Sequence, residues 1–315
     1  MIVTHFVSSF DLLYNVIHIV GEKIVNIFFK IREVLIYMEI FRLGEVGPPK
    51  NDDFQRFKSF AKDENHWKRR HKRKNVEVFT RSSRHTNMKM IKVIATFPDV
   101  CSHVIYDMLH DNDYRSSWDN TMRESTEICR ITWNCCIEHY GFKAPFAFSN
   151  RDFVLLRAWH RYEDEYIIYN RSVFHKKVPP RSDYVRALTF ITGYVITALS
   201  PVSCQLIYLT QNDPRGDIPS WAINLATTKV APRLVKSLHR AALRYPGWKA
   251  ENRPEFKPWR NPEQQNKSIP ALCPTDILRE PDFPLKKVHE KHVSKENALK
   301  EVGLPPDTQF DEDSS

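Results

Sequence analysis

The sequence predicts an α+β fold in which a curved antiparallel sheet grips one long C-terminal helix. Three observations lead there. Strand-like segments follow one another from Val76 to Gln211, separated by turn signals such as Pro145 with Asn150, Glu163-Asp164, Pro179-Pro180 and Ser200-Pro201. Links that short join strands of opposite direction, so the sheet is an antiparallel meander. The pattern then becomes helical from Pro219 to Pro246-Gly247. A single long helix after a strand meander must cover one face of the sheet, closing the mouth of a half-barrel.

The elements follow in order. Residues 1–47 form a hydrophobic N-terminal extension rich in Ile, Val, Leu and Phe, expected to be helical. Its longest uncharged run, Leu12 to Gly21, has ten residues, against the roughly 18 to 20 that span a bilayer. No Lys or Arg precedes Lys23, so it lacks the charged start of a signal peptide. It reads as a helix that packs or self-associates, or as a segment absent from the working protein; an interfacial membrane helix and, behind it, a true membrane span are the alternatives. Gly44 to Lys50 (GEVGPPK) marks a linker. Asn51 to Glu64 places Phe54, Phe57, Phe60 and Ala61 on one helical face.

Lys68 to Lys74 (KRRHKRK) reads first as a solvated hairpin connection. Nuclear localisation or nucleic-acid contact, and contact with a phospholipid surface, are the alternatives. No RNP-type aromatic motif or helix-turn-helix pattern accompanies it, so no nucleic-acid partner is expected. Strands are expected at Val76–Thr80, Met88–Thr96, Thr126–Tyr140, Phe153–Tyr162, Tyr166–His175, Val185–Leu199 and Cys204–Gln211, with a short helix at Asp99–His110. Gly193 inside a strand predicts a bulge.

On the long helix, Ile223, Ala226, Val230, Leu234, Leu238, Ala241 and Tyr245 make the apolar stripe, and Pro232 predicts a kink. Lys229, Arg233, Lys236, Arg240 and Arg244 make a second, basic stripe, with no acidic residue between Asp217 and Glu251. That stripe is either a solvated face or a docking surface for anionic membranes. Residues 48–262 are expected to form the folded domain. Residues 263–315, charged, Pro-containing and without sustained periodicity, are expected to be a mostly disordered tail.

Composition removes several classes of function. With 42% hydrophobic and 27% charged residues, the 315-residue chain is neither wholly disordered nor a multi-span membrane protein. It has 8 glycines and no GxGxxG, GxxxxGK[ST] or GxSxG, which excludes the familiar nucleotide-loop and hydrolase motifs. A net charge of +9 favours anionic partners without choosing among them. Six cysteines without a CxxC pair form neither a disulfide framework nor a zinc site, and fit a reducing cytosol. His289, Glu290 and His292 read HEKH, one residue short of the zinc-binding HExxH spacing. No catalytic residue, metal ligand or cofactor is expected, and the protein is not read as an enzyme.

Binding is better supported. Asp111 to Asp119 reads DNDYRSSWD, with Arg115 and Asp119 four residues apart and able to pair on a helical turn. The pair is either a surface ion pair or a buried one beside Trp118. If buried, Asp119 orients Arg115 and leaves other guanidinium donors for a phosphate.

DxDYRxxWD at Asp111–Asp119, SNRD at Ser149–Asp152 and DPxGxIPSW at Asp213–Trp221 occur in the order and at the intervals of a known family. YPxWK at Tyr245–Lys249 and FKPWxxPEQ at Phe256–Gln264 strengthen the match. Residues 50–264 resemble the StAR-related lipid transfer (START) domain family, in particular its phosphatidylcholine-transfer subgroup. The resemblance implies a helix-grip fold enclosing one lipid. It implies that Arg115 and Asp119 meet the lipid phosphate. It also implies a choline cage of Tyr140, Phe153 and Phe190, the last placed through Val185-Arg186. Aromatic faces attract a quaternary ammonium, although the three could equally be core aromatics. The family pattern has Trp and Tyr where this chain has Tyr140 and Phe153, so phosphatidylethanolamine stands beside phosphatidylcholine as ligand. The loop Lys176–Asp183 falls in the family's gating region. The expected function is to bind one glycerophospholipid and transfer it between membranes, from the cytoplasm and with peripheral contact to anionic bilayers. The alternative is a lipid-sensing interaction module that binds without efficient transfer.

Overall fold

The chain lays down helix α1 (Asn51–Lys62), then strands β1 (Lys68–Arg73), β2 (Val76–Arg81) and β3 (Met90–Phe97). Helices α2 (Ser102–His110) and α3 (Asn112–Arg115) carry it to the far edge of the sheet. There follow β4 (Met122–Thr132), β5 (Cys135–Phe142), β6 (Arg151–Arg161) and β7 (Glu165–Ser172), the short β8 (Phe174–His175) and β9 (Val185–Arg186), then β10 (Leu188–Ser200) and β11 (Ser203–Asp213). The strand order is β1-β2-β3-β11-β10-β7-β6-β5-β4, with every neighbour antiparallel and β9 parallel to β6. The last helix comprises α4 (Ser220–Leu225), a π-helical turn (Ala226–Val230) and α5 (Ala231–Glu251). This computed structural model describes residues 43–82, 89–146, 148–279, 289–290, 293–301 and 303–305. The expected helical extension, apart from its last residues, lies outside them.

α5 and α2 cover the inner face of the sheet. Ile105 and Met108 of α2 and Leu238, Ala241 and Tyr245 of α5 pack with Ile168, Ile196 and Leu206 of the sheet in one core. α1 packs on the opposite face, where Phe54 and Phe57 lie 5.3 and 5.9 Å from the Tyr169 ring. Its end is fixed by Glu165, which accepts from Lys58, Lys62 and the Thr197 hydroxyl.

The structure corrects several expectations. The basic run is not a connection but strand β1 itself, paired with β2 from Lys68↔Thr80 to Arg73↔Val76. It lies at the end of the sheet, where water solvates the charges and the charges discourage pairing with another chain. The expected strand Thr126–Tyr140 is two strands that reverse at Trp133-Asn134. Within the turn Asn134 accepts from the Thr132 hydroxyl at 2.9 Å, and it donates to the Trp159 carbonyl of β6 at 2.8 Å.

Gly193 is not at a bulge; its pairing with Leu209 and Tyr169 is regular. It lies close under α1, where a Cβ would come within 2.7 Å of the Phe57 ring and 2.3 Å of the Ile168 carbonyl oxygen. The bulges of β10 lie instead beside Phe190 and Leu199.

Just before Pro232, where a kink is expected, the helix contains a π-helical turn. The turn inserts one residue, so the apolar stripe changes register. After it the buried positions are Leu238, Ala241, Ala242, Tyr245 and Lys249, whereas Leu234 is 51% exposed. Pro246 does not stop the helix, which continues to Glu251. Asp111 accepts from Tyr245 Oη at 3.0 Å and Lys249 Nζ at 2.9 Å, anchoring both sides of the proline.

Much of residues 263–279, expected within a mostly disordered tail, is bonded to the domain. The Arg130 N–H donates to the Pro270 carbonyl and the Leu272 N–H to the Arg130 carbonyl, both at 2.9 Å, along the outer edge of β4. Strand β12 (Ile277–Leu278) then pairs with β8. An edge strand has unpaired backbone groups, and these bonds satisfy them without requiring hydrophobic periodicity. Helix α6 (Lys295–Glu301) packs against α4. Among the described residues no helix is long and apolar enough to cross a membrane.

Candidate functional site

Asp111 begins the site by capping α3, accepting from the Tyr114 N–H at 3.4 Å. Tyr114 is buried and its hydroxyl donates to the Ala241 carbonyl at 2.8 Å, which ties α3 to α5. With Tyr114 fixed, Arg115 reaches toward β5. Its Nε donates to Asp119 Oδ2 at 3.0 Å and its Nη2 approaches Tyr140 Oη at 3.4 Å.

Tyr140 Oη in turn donates to Asp119 Oδ2 at 3.1 Å. The other carboxylate oxygen accepts from the Thr121 N–H and hydroxyl at 3.2 and 2.6 Å. The Arg115 and Asp119 side chains are 18% and 8% exposed, so the pair is a largely buried one rather than a surface ion pair. The guanidinium lies between two rings, 5.3 Å from the Trp118 centroid and 5.2 Å from that of Tyr140. Nη1 of Arg115 has no protein partner among the described residues.

The electrostatics keep both groups charged. Burial opposes ionisation of Asp119, but Arg115 and hydrogen bonds from Thr121, Arg115 and Tyr140 outweigh it and hold the carboxyl below its usual range. Burial likewise works against the Arg115 charge, and Tyr140, Tyr194 and Asp119 outweigh it, raising its pKa further. The Tyr140 hydroxyl is pushed up to about 12, by burial first and by Asp119 against the pull of Arg115.

Phe153 sits directly across from Tyr140 in the β5–β6 register. Phe142, two residues along β5 and therefore on the same face, stacks on Phe153 at 5.8 Å and lies 6.4 Å from Tyr140. Arg115, Asp119, Tyr140 and Phe153 thus come together as one group. Phe190 is half-buried at its bulge in β10, two strands from β6, and makes no ring contact among the described residues.

Sequence reasoning missed Thr121 and Phe142. The alternation Tyr140, Phe142 on a strand was the available signal for Phe142. It also missed Glu138 and Arg157, which pair at 3.6 Å farther along the same face, Arg157 also donating to the Leu109 carbonyl.

The SNRD motif is architectural. Asp152 accepts from Arg186 through both carboxylate oxygens, at 2.9 and 2.8 Å, and bonds His139 at 2.8 Å. Arg186 also donates to the carbonyls of Val178 and Pro179, which fastens the loop Lys176–Asp183 to the sheet. Arg181 in that loop bridges Glu124 and Asp183.

In the basic stripe Arg233, Lys236, Arg240 and Arg244 are exposed, and Lys229, in the π-helical turn, is half-buried. Leu234 and Leu243 lie exposed among them. His289 bonds Asp217, while Glu290 turns to Ser149 and Arg151, so these two residues of HEKH serve different partners; His292 lies outside the described residues.

An antiparallel sheet closed by one long helix, with a buried charged pair and stacked aromatics near the ends of β5 and β6, defines the helix-grip class of protein. Residues 53–249 match the START domain, and the chain belongs to that family. START domain-containing protein 10 of Homo sapiens is 36% identical over 250 residues, covering 79% of this chain and 85% of that protein. Phosphatidylcholine transfer protein of Homo sapiens is 26% identical over 175 residues, covering 54% and 80% respectively. The crystal structure of human STARD10 superposes with a TM-score of 0.70 at 37% identity, covering 76% of this chain and 96% of that one.

Proposed function

We propose that this protein binds one glycerophospholipid between the inner face of its sheet and α5, and transfers it between membranes. The observation that carries the reading is Arg115: held by Asp119, flanked by Trp118 and Tyr140, with Nη1 left over for a phosphate oxygen. The names of the relatives, a phosphatidylcholine transfer protein among them, support the ligand class. Tyr140 and Phe153, with Phe142 beside them, supply aromatic faces for choline, and Phe190 completes the proposed cage from β10. Phosphatidylethanolamine is the second candidate, because an ammonium can use the same faces and add hydrogen bonds.

The energetics suit a carrier. Burying about 30 methylenes of two acyl chains contributes roughly 24 kcal/mol relative to water. A bilayer offers the same shielding, so movement from membrane to protein is nearly neutral for the chains and headgroup contacts decide the lipid. Docking falls to Lys229, Arg233, Lys236, Arg240 and Arg244, with Leu234 and Leu243 as apolar contacts among them.

Native mass spectrometry of the purified full chain, followed by lipid extraction, tests the reading. A one-to-one phosphatidylcholine or phosphatidylethanolamine adduct is expected. A protein that is empty and refuses lipid from vesicles would overturn it.

A further inference from the structure

Glu290 is a buried carboxylate far along the chain from the residues it touches. It accepts from the Ser149 N–H at 3.2 Å and the Ser149 hydroxyl at 3.1 Å, and forms an ion pair with Arg151. Its side chain is 3% exposed and that of Arg151 2%. The rest of the Arg151 guanidinium donates to the carbonyls of Ser149, Pro214 and Arg215. Gly216 has a φ of +77°, and a Cβ there would come within 3.2 Å of Glu290. Glu290 therefore bonds the start of β6 directly, and reaches the chain leading into α4 through Arg151, which holds the Pro214 and Arg215 carbonyls, and by packing beside Gly216.

A second contact lies beside it. Ala298 and Leu299 of α6 are fully buried against Ala144, Phe146 and Phe148 of the β5–β6 connection and Ala222 and Leu225 of α4. Phe142 packs on this cluster and also stacks on Phe153 beside Tyr140. Continuous side-chain packing thus runs from α6 to the aromatic group around Arg115.

We propose that the C-terminal segment, through Glu290 and α6, is a strap that holds the β5–β6 connection and α4 closed over the headgroup site, so that its release sets the rate of lipid exchange. The closing contact stands on the packing alone; its effect on exchange rests on the lipid-carrier reading. The basis is the difference in kind between its two attachments. One is a buried ion pair, costly to break on one side only. The other is a short amphipathic helix, which has little stability of its own away from its apolar partners.

The test uses the full chain with Glu290→Gln, with Leu299→Asp, and with both. The Glu290→Gln change keeps the size of the side chain and Leu299→Asp only detaches α6, so the domain is expected to remain folded by circular dichroism. Hydrogen exchange followed by mass spectrometry reads the closing contact without any lipid. The double variant should exchange about tenfold faster at 142–150 and 220–230, with α5 and β10 unchanged. Transfer of fluorescent phosphatidylcholine between neutral vesicles should rise about threefold or more, with one lipid still bound per protein. Unchanged exchange at 142–150 and 220–230 would overturn the strap. So would faster hydrogen exchange with unchanged transfer in a wild-type background that transfers lipid. A wild-type chain that neither loads nor moves lipid would refute the carrier reading and, with it, the rate-setting role, while the hydrogen-exchange result would still decide the contact.

Discussion

Arg115→Met removes the guanidinium while keeping an aliphatic stem between Trp118 and Tyr140. Two consequences can be sized. Each charge-assisted hydrogen bond to a ligand phosphate contributes about 1.5 to 3 kcal/mol. At about 1.4 kcal/mol per decade, losing one lowers phospholipid affinity roughly 10- to 100-fold. Stability falls too. Removing one partner of a fully buried pair costs about 3 to 5 kcal/mol. Here Asp119 keeps two bonds from Thr121 and one from Tyr140, so about 2 kcal/mol is expected. For a domain of this size that lowers Tm by roughly 4 to 8 °C. The assay pairs a thermal melt with native mass spectrometry after incubation with phosphatidylcholine vesicles. Arg115→Lys should recover part of the loading, since a point charge replaces a fork. The pH dependence has a definite sign. The Asp119 carboxyl is held low in the folded state, so its stabilisation is complete above its unfolded value of about 3.9 and is lost as pH falls through the lower folded value. Without Arg115 the folded value rises, so the acid limb of the Tm profile should begin at higher pH. A folded Arg115→Met protein that loads within twofold of wild type would refute the phosphate role.

Gly193→Val should destabilise the domain by about 3 kcal/mol in urea titration, because its side chain would collide with Phe57 and the Ile168 carbonyl; a loss below about 0.5 kcal/mol would mean α1 sits elsewhere. Lys236→Glu with Arg240→Glu should slow transfer from anionic vesicles several-fold at low salt and leave bound lipid in place; equal rates across salt concentrations would return the stripe to a solvated face. Asp111→Asn should cost about 3 kcal/mol, since Lys249 would remain buried without its counter-charge; an unchanged denaturation midpoint would refute that anchoring.

What could be read from the sequence depended on the range of the interaction. Alternation along β6, β7, β10 and β11 and the long helical stripe are local patterns, and both marked their elements. β1 escaped because a solvated edge strand needs no apolar alternation. The Trp133-Asn134 reversal escaped because it contains no glycine or proline and is held by a Thr132–Asn134 side-chain bond and by the Asn134 bond to β6. The spacing of Arg115 and Asp119 indicated a pair, but whether it was buried depended on Tyr140 and Thr121, which come from β5 and from the turn before β4. Glu290 was invisible for the same reason: its partners lie 139 and 141 residues earlier, and nothing in HEKH points to them.

Asp111 caps the helix that carries Arg115 and also accepts from Tyr245 and Lys249 of α5. One carboxylate therefore makes the arginine and the C-terminal half of the last helix a single mechanical unit. Beyond the π-helical turn, α4 shares none of that bracing and leans on α6 instead. The last helix is thus bolted at one end to the segment that carries Arg115 and propped at the other by α6 and the β5–β6 connection, with the extra residue of the π turn between them. Under the proposed strap, opening would therefore move the propped end of the helix and leave the arginine in place.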